Sequence, residues 1–377
     1  MSGIRLFKIL GIRITIDYTW FLVFVLFAWS LAQGYFPYNH PGFGRGAYIV
    51  MGALSSLLLF VCVLVHEIAH SYVSNLLGVG VKEITLFIFG GVAKLSKEPT
   101  SPGVEFKIAV AGPLASAALA VLFKAASMVI NAGEYPAIVA VTGYLAMVNV
   151  ALLIFNMIPG FPLDGGRVLR AVWWAKTGNM ETATRVASAI GKGFAMFLIV
   201  VGVIQALSGN AFGLWSVFIG VFLRQAAQGS YQQLVMRHAL EGLKVRDIMT
   251  KEVVTVDAKL TIEELVEHYF FKYRFMSFPV TTGSETVGII TLNTVRGVDK
   301  NLWARTTVSE VMLRLTPVDT LAPGEAATDV FEKLQSSEAG RFPVMEATGA
   351  LVGMLSTRDI MRAMELKSRL GNRTFLP

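Results

Sequence analysis

The sequence contains one cysteine and few charged residues, and each shortage excludes a class of protein. Cys62 alone cannot form an internal disulfide or a cysteine-based metal cluster. Charged residues make up 16% of the 377 residues and hydrophobic residues 54%, whereas ordinary soluble domains contain about 25% charged residues. A soluble protein of this size could not bury so much apolar side chain, so the composition predicts a membrane protein whose partner is the lipid bilayer.

The formal net charge of +7 does not indicate a nucleic-acid-binding protein. The basic residues form no stripe with interleaved aromatic residues, which nucleic-acid-binding surfaces usually show. They flank apolar segments instead, a distribution that favours contact with anionic lipid and control of membrane topology. We therefore expect no nucleic acid among the partners.

Apolar runs dominate the chain up to Gln228, and charges appear every few residues after it. Six segments approach the length of ~20 residues that a bilayer requires, and we predict membrane spans at 14–33, 47–77, 104–131, 136–157, 188–208 and 211–228. Six spans place both termini on one side, and the lysine and arginine residues of 5–13, 82–107 and 167–185 predict that this side is cytosolic. We expect a multi-pass protein of a prokaryotic cell membrane.

Residues 83–97 alternate apolar and other residues around Gly90-Gly91, which predicts a short β-hairpin between the second and third spans. A sheet edge at membrane depth needs protein or a wet cavity to satisfy its backbone groups, and it could pair with an extended substrate. The two glycines are therefore candidate substrate-binding residues. An ordinary surface hairpin explains the same pattern, and both interpretations stay open.

The motif His66-Glu67-Ile68-Ala69-His70 ends an apolar run, 57–65. On a helix, histidines four residues apart lie on one face, so both imidazoles could bind one metal ion. Glu67 could then accept a proton from the attacking water. The pattern is short and arises by chance in many proteins, but ionisable groups at the end of an apolar run are costly without a function. The position therefore favours a metal site.

A catalytic zinc ion needs a third protein ligand and an open fourth position. The segment 156–167 closes the fourth predicted span, where Pro159 and Pro162 break the helix and Gly165 and the glycine after it permit a tight turn. We predict that Asp164 lies there in irregular backbone and supplies the third ligand. The alternative is an aspartate that caps a helix at the membrane exit.

The two segments together resemble the site-2 protease family of intramembrane metalloproteases. That family carries HExxH on one membrane helix and N-x-x-P-x-x-x-L-D-G on a later one. The second motif is complete here, filled by Asn156, Pro159, Leu163, Asp164 and Gly165. Two further features match the subgroup with fused regulatory domains, namely Gly112-Pro113 in the third span and Phe89-Gly90-Gly91 in the hairpin.

The resemblance covers essentially the whole chain and implies a zinc-dependent endopeptidase that cleaves transmembrane segments of membrane proteins. It makes His66, His70 and Asp164 ligands of Zn²⁺ and Glu67 the catalytic base. Asn156 becomes a candidate contact to the substrate backbone or oxyanion, although an asparagine hydrogen-bonded between helices is an equal alternative. Three other histidines, His40, His238 and His268, are expected at the surface or in packing.

The last third of the chain is a tandem repeat. Residues 245–249, 278–280 and 288–291 recur as 308–312, 342–344 and 353–356, with helix-like and strand-like stretches alternating in each copy. The repeat resembles a pair of CBS domains, which often bind adenine nucleotides such as ATP or AMP. The pattern Gly-hydrophobic-hydrophobic-Ser/Thr-x-x-Asp is complete in the second copy, as Gly353, Ser356 and Asp359.

The first CBS copy departs from this pattern. It has Gly288 and Thr291, but Thr294 stands where the aspartate is expected, so its site would be weak or empty. A dimerisation module without a ligand is the alternative function of the pair, and we keep a homodimer through the CBS domains as a prediction.

These observations predict a multi-pass α-helical membrane domain with about six transmembrane helices and a membrane-associated β-hairpin, followed by an α/β tandem CBS module. The predicted domains are 1–228, a linker at 229–243, CBS copies at 244–304 and 305–366, and a basic tail at 367–377. A transporter or channel regulated by the CBS pair is the alternative function, since such modules also accompany ion-transporting membrane domains. A membrane scaffold would leave the costly polar groups unused.

Overall fold

The computed structural model describes residues 3–88, 90–95, 98–210, 212–283, 285–316, 319–336 and 340–370. The chain folds as two compact units, Met1–Gln232 and Gln233–Pro377. The first unit is helical with one small sheet, and the second mixes helices and strands. The finer domain boundaries that the sequence suggested stay predictions, and residues 371–377 of the expected tail lie outside the described residues.

Long apolar helices form most of the first unit. In chain order these are α1 (Tyr18–Ser30, continued by a π-helical turn Leu31–Tyr35 and by α2, Phe36–Asn39), α3 (Arg45–Leu76), α4 (Pro102–Val129), α5 (Pro136–Asn156), the shorter α6 (Asp164–Thr177), α7 (Met180–Leu207) and α8 (Phe212–Leu240). Five of the described helices are long and apolar enough to cross a membrane: Tyr18–Asn39, Arg45–Leu76, Pro102–Val129, Pro136–Asn156 and Met180–Leu207. They match the first five predicted spans.

The sixth predicted span, 211–228, lies within α8, apart from Ala211, which is outside the described residues. This helix is not among the five that meet both criteria of length and apolar composition. Arg224, Gln225 and Gln228 occupy its middle turns, and these polar residues lower its mean hydropathy.

A four-stranded sheet packs beside these helices. Its strands are β1 (Gly3–Ile9), β2 (Ile12–Asp17), β3 (Val81–Phe87) and β4 (Gly90–Leu95), in that spatial order. The pairs β1–β2 and β3–β4 are antiparallel, and β2 pairs with β3 in parallel. The predicted hairpin is confirmed as β3–β4, whereas Phe89 of its turn lies outside the described residues.

The strand β2 corrects the predicted start of the first span at residue 14. Ile12, Ile14 and Ile16 alternate along β2, and all three are buried in one core with Trp20 of α1 and Phe60 of α3. The strand runs directly into α1, whose first turn is capped by the Asp17 carboxylate accepting a hydrogen bond from the Thr19 backbone N–H. In the sequence, the strand and helix therefore read as one apolar run.

The second unit contains two small sheets and short helices. Its elements are α9 (Val245–Ile248), β5 (Val256–Asp257), α10 (Ile262–Leu265), α11 (Phe271–Tyr273), β6 (Ser277–Thr282), β7 (Glu285–Thr291), α12 (Leu292–Arg296), α13 (Val308–Val311), β8 (Leu313–Arg314), α14 (Ala327–Ser336), β9 (Arg341–Met345), β10 (Leu351–Ser356) and α15 (Thr357–Leu370). One sheet has the order β5-β6-β7-β8 and the other pairs β9 with β10. The α/β alternation predicted for the repeat is confirmed.

The first segment of each repeat packs against the other copy. Met249 follows α9 and lies against Gly353, while Met312 follows α13 and lies against Gly288. In the same way, β8 pairs with β7, and Thr250 forms a bridge with Met354. The two copies thus complete each other's cores, which explains why the repeat forms one compact unit.

Candidate metal centre

Three side chains from two distant segments converge at one point in the first unit. The Nε2 atoms of His66 and His70 lie 3.0 Å and 3.1 Å from Oδ2 of Asp164, and 3.1 Å from each other. Zinc–ligand bonds of about 2.0–2.1 Å place the ligand atoms of a tetrahedral site roughly 3.3 Å apart. The three atoms therefore have the spacing of ligands around a single zinc ion.

The hydrogen bonds of the imidazoles show that this arrangement fits a cation. Nδ1 of His70 lies 2.7 Å from the backbone carbonyl oxygen of Ile108, which can only accept, so Nδ1 carries the proton and Nε2 presents a lone pair. Nδ1 of His66 lies 2.9 Å from Oγ of Ser116, which can accept in the same way. Two lone pairs and a carboxylate oxygen then face one another, and a metal ion between them removes their repulsion.

One face of α4 forms the wall behind the two histidines. Ile108, Gly112 and Ser116 are spaced four residues apart, so they lie along one stripe of this helix. A Cβ at Gly112 would collide with Nε2 of both His66 and His70. Glycine at this position therefore leaves room for the metal site, which gives the Gly112-Pro113 pair found in the sequence a structural explanation.

The position of Asp164 corrects one part of the sequence analysis. The irregular backbone ends at Leu163, and Asp164 is the first residue of α6, a helix that the sequence did not predict. A Cβ at Gly165 would overlap the backbone carbonyl of Ile158, and one at Gly166 would overlap the backbone of Gly160. The two glycines therefore let the chain fold back tightly, and this turn points the Asp164 carboxylate at the imidazoles rather than at the helix end.

An opening of about 160 Å³ leads to these residues. Its lining includes Glu67, His70, Asp164 and Arg167, together with Gly91 of β4; the remaining lining residues are Ser71, Val81, Ala93, Ile108 and Pro162. A Cβ at Gly91 would overlap the Glu67 side chain. The carboxylate of Glu67 thus lies between the metal ligands and strand β4, where a water molecule and a peptide could both reach it.

The role suggested for Asn156 stays a prediction. Asn156 is the last residue of α5 and is not among the lining residues. The buried asparagine of that helix is Asn149, whose Nδ2 donates to the Leu145 carbonyl oxygen at 2.8 Å and to Cys62 Sγ at 3.3 Å. Cys62 is buried in helix packing, as expected.

Neither His40 nor His268 belongs to the group of converging ligands. His40 follows α2, and His268 belongs to the second unit. The side chain of His238 lies outside the described residues. Gly90, the other glycine predicted to contact substrate, begins β4 with a φ of 128°, a conformation that glycine adopts readily.

The candidate nucleotide residues of the second CBS copy form a local network. Oδ2 of Asp359 accepts hydrogen bonds from the Ser356 backbone N–H at 2.8 Å and from its hydroxyl at 2.5 Å. The hydroxyl of Thr250 lies 3.1 Å from the other carboxylate oxygen. In the first copy, Thr291 and Thr294 form the corresponding pair, with their hydroxyl oxygens 2.7 Å apart.

Comparison with known proteins assigns the chain to a family. The model of peptidase family M50 matches residues 54–137 and 129–201, and the CBS domain model matches 245–300 and 308–366. Rip3 from Mycobacterium tuberculosis is 31% identical over 368 residues, which is 97% of this chain and 93% of Rip3. The chain belongs to peptidase family M50.

Two further matches come from one archaeon. The zinc metalloprotease MJ0392 from Methanocaldococcus jannaschii is 31% identical over 374 residues, 98% of both chains. The solved site-2 protease from the same organism is 32% identical and covers 61% of this chain and 95% of its own, with a TM-score of 0.43. The family match and the relatives named zinc metalloproteases make this M50 peptidase a zinc metalloprotease, and it carries a CBS pair. The family assignment favours the protease over the transporter that the sequence had left open.

Proposed function

We propose that this M50 peptidase cleaves transmembrane segments of other membrane proteins, with His66, His70 and Asp164 as zinc ligands and Glu67 as the base. The observation that carries the proposal is the convergence of three metal-binding acceptors on an opening among apolar, membrane-length helices. Ionisable groups at such a place are costly unless they have a function.

The side chains divide the work of peptide hydrolysis among them. Zinc, when bound, polarises the attacking water and lowers its pKa. Glu67 accepts the proton of that water as its oxygen adds to the peptide carbonyl carbon, and returns a proton to the leaving amine when the C–N bond breaks. The Ile108 carbonyl and the Ser116 hydroxyl hold the imidazoles in the orientation that directs Nε2 at the metal.

The outer edge of strand β4 could bind an extended substrate peptide by strand pairing. Within the described residues, β4 pairs only with β3, and its other edge has no neighbouring strand. Gly91 of this strand lies against Glu67, so an extended peptide added to β4 would pass the base. A helical substrate must unwind first because its carbonyl groups are hydrogen-bonded, and helix-breaking residues near the cut make unwinding easier.

Cleavage of a membrane-embedded reporter by the wild type and by Glu67→Gln tests this function. We expect the substitution to abolish cleavage while zinc remains bound, because it removes the base and none of the ligands. Undiminished cleavage by a metal-loaded Glu67→Gln variant is incompatible with the proposal.

We also propose that both termini lie in the cytosol of a prokaryotic cell, with α8 as the sixth span. The support is the clustering of lysine and arginine in alternate connections and the length of α8. Topology reporters fused after Asn210 and at the carboxyl end are expected on opposite sides of the membrane. Equal reporter signals from the two fusions contradict this arrangement.

For the second unit we propose regulation by an adenine nucleotide at Gly353, Ser356 and Asp359, with a weaker site at Thr291, and association of two copies through the CBS domains. The support is the CBS family match and the complete pattern in the second copy. ATP or AMP is expected to raise the thermal unfolding midpoint of the purified full chain. The mass of the particle in detergent, corrected for bound detergent, tests the homodimer.

A further inference from the structure

The guanidinium of Arg167 lies at the opening with part of its hydrogen-bonding capacity unused. Arg167 is the one arginine or lysine among the residues that line the opening. Its Nε donates to Oε1 of Glu105 at 3.0 Å. Its Nη2 is buried and has no hydrogen-bond partner among the described residues. The Arg167 side chain is 18% exposed and lines the opening. A guanidinium has five N–H donors, so it has donors beyond the one that Glu105 uses.

Glu105 holds this guanidinium in place together with a second arginine. The Glu105 side chain on α4 is completely buried, and the same Oε1 accepts from Nη2 of Arg170 at 2.5 Å. The Arg170 guanidinium in turn lies 5.1 Å from the centre of the Phe161 ring. One carboxylate thus pairs with two guanidinium groups. This holds the Arg167 side chain in place and leaves the three-residue cluster with a net positive charge.

Peptide hydrolysis creates negative charge at a defined place. When the oxygen of water adds to the carbonyl carbon, the C=O electron pair moves onto the carbonyl oxygen, and a fixed hydrogen-bond donor there lowers the barrier. Arg167 lines the same opening as Glu67 and Asp164, so a peptide bound there lies beside its side chain. A cation is a stronger donor for this charge than a neutral amide.

We propose that Arg167 is a catalytic residue whose guanidinium donates a hydrogen bond to the carbonyl oxygen of the scissile peptide as it becomes the tetrahedral oxyanion. This rests on the proposed proteolysis and assigns to Arg167, which lines the opening, the role that the sequence suggested for Asn156. In the step, water adds to carbon and Glu67 takes its proton. The oxyanion then re-forms the C=O bond as the C–N bond breaks, and the proton passes from Glu67 to the amine.

The test uses the full chain with three substitutions: Arg167→Gln, Arg167→Lys and, as a matched control, Arg170→Lys. Arg170 binds the same carboxylate but does not line the opening. Three quantities are measured for each variant: kcat and KM on the reporter, zinc content, and affinity for a phosphinic peptide whose tetrahedral oxygens imitate the oxyanion.

We expect Arg167→Gln to lower kcat by about 10²–10³-fold, the usual effect of removing one oxyanion donor. KM and zinc content should stay near wild type, and affinity for the phosphinic peptide should fall in parallel with kcat/KM. Arg167→Lys keeps the charge but loses the planar fork, so its kcat should lie between the two. Arg170→Lys should keep more of kcat than either Arg167 variant.

Three results would overturn the proposal. Wild-type kcat in both Arg167 variants excludes a role in the reaction. A loss of zinc in Arg167→Lys that matches its loss of kcat means that Arg167 only positions Asp164. A larger loss of phosphinic-peptide affinity in Asn156→Ala than in Arg167→Gln returns the role to Asn156. Cleavage by Glu67→Gln would instead contradict the proposed proteolysis. Because that result comes from a different variant, the two failures can be told apart.

Discussion

The candidate metal centre and the candidate nucleotide site differ in how far their polar groups are satisfied. In the first, two Nε2 lone pairs and one carboxylate oxygen face each other at 3.0–3.1 Å. In the second, the Asp359 carboxylate already accepts hydrogen bonds from Ser356 and has the Thr250 hydroxyl beside it. The first site is a set of acceptors that can bind a metal ion, whereas the polar groups of the second pair with one another.

A sequence motif therefore does not by itself show that its residues are arranged to bind a ligand. A metal ion adds bonds at the first site and displaces none of the hydrogen bonds on Nδ1 of His66 and His70. A nucleotide at the second site would meet a carboxylate that already accepts three hydrogen bonds, so its net contribution is expected to be smaller. The expected effects of substitution fall in the same order.

The largest effect is expected for Asp164→Ala, which removes one metal ligand. Dividing roughly 10–16 kcal/mol of zinc binding among four ligand positions gives about 3 kcal/mol for each, or more than about 10²-fold in affinity. Zinc content after dialysis against a graded chelator series measures this loss. A variant that retains zinc as tightly as the wild type would remove Asp164 from the ligand set.

Gly112→Ala is expected to have the next largest effect, because the added Cβ collides with Nε2 of both histidines. Zinc content and cleavage should fall together. The matched control is Gly143→Ala on α5, where a Cβ would meet no atom within 4 Å, and this variant should keep both properties. Equal behaviour of the two variants contradicts the tight packing of α4 against the metal ligands.

Ser116→Ala should weaken zinc binding without abolishing it, since it removes the partner of His66 Nδ1 but no ligand. Losing such a hydrogen bond to a ligand usually costs about 10–100-fold in metal affinity. Ser55→Ala is the control, because Ser55 is equally buried but its hydroxyl makes no hydrogen bond among the described residues. The rate of zinc release to a chelator compares the two variants.

The smallest effect is expected in the CBS pair and tests the comparison directly. Asp359→Ala should abolish the nucleotide-induced rise in unfolding temperature, and Thr294→Asp, which installs the missing carboxylate of the first copy, should increase it. Cleavage of the reporter without nucleotide should change little in either variant. A nucleotide shift that survives Asp359→Ala places the ligand elsewhere.

Much of the metal centre followed from local patterns. Histidines four residues apart on a helix necessarily share a face, and the structure brings Asp164 to them as the sequence suggested. The strands β1 and β2 and the helix α6 were missed because their residues continue apolar runs or follow a Pro-Gly-rich turn. Helix α4 forms the wall behind the histidines, and in the sequence only Gly112 indicated this. Gly112 lies midway between Ile108 and Ser116, four residues from each.

The amino-acid sequence by itself determined that this protein is a membrane protein with a paired CBS module, and it singled out the residues of the metal centre. Those conclusions depend on composition, spacing and repetition, which are properties of neighbouring residues. Only the tertiary structure decided that Ser116 and the Ile108 carbonyl orient the histidines and that Arg167 lines the opening. The two hydrogen bonds to the histidines join residues that are 38 and 50 positions apart in the chain. Such residues meet only when several helices pack together.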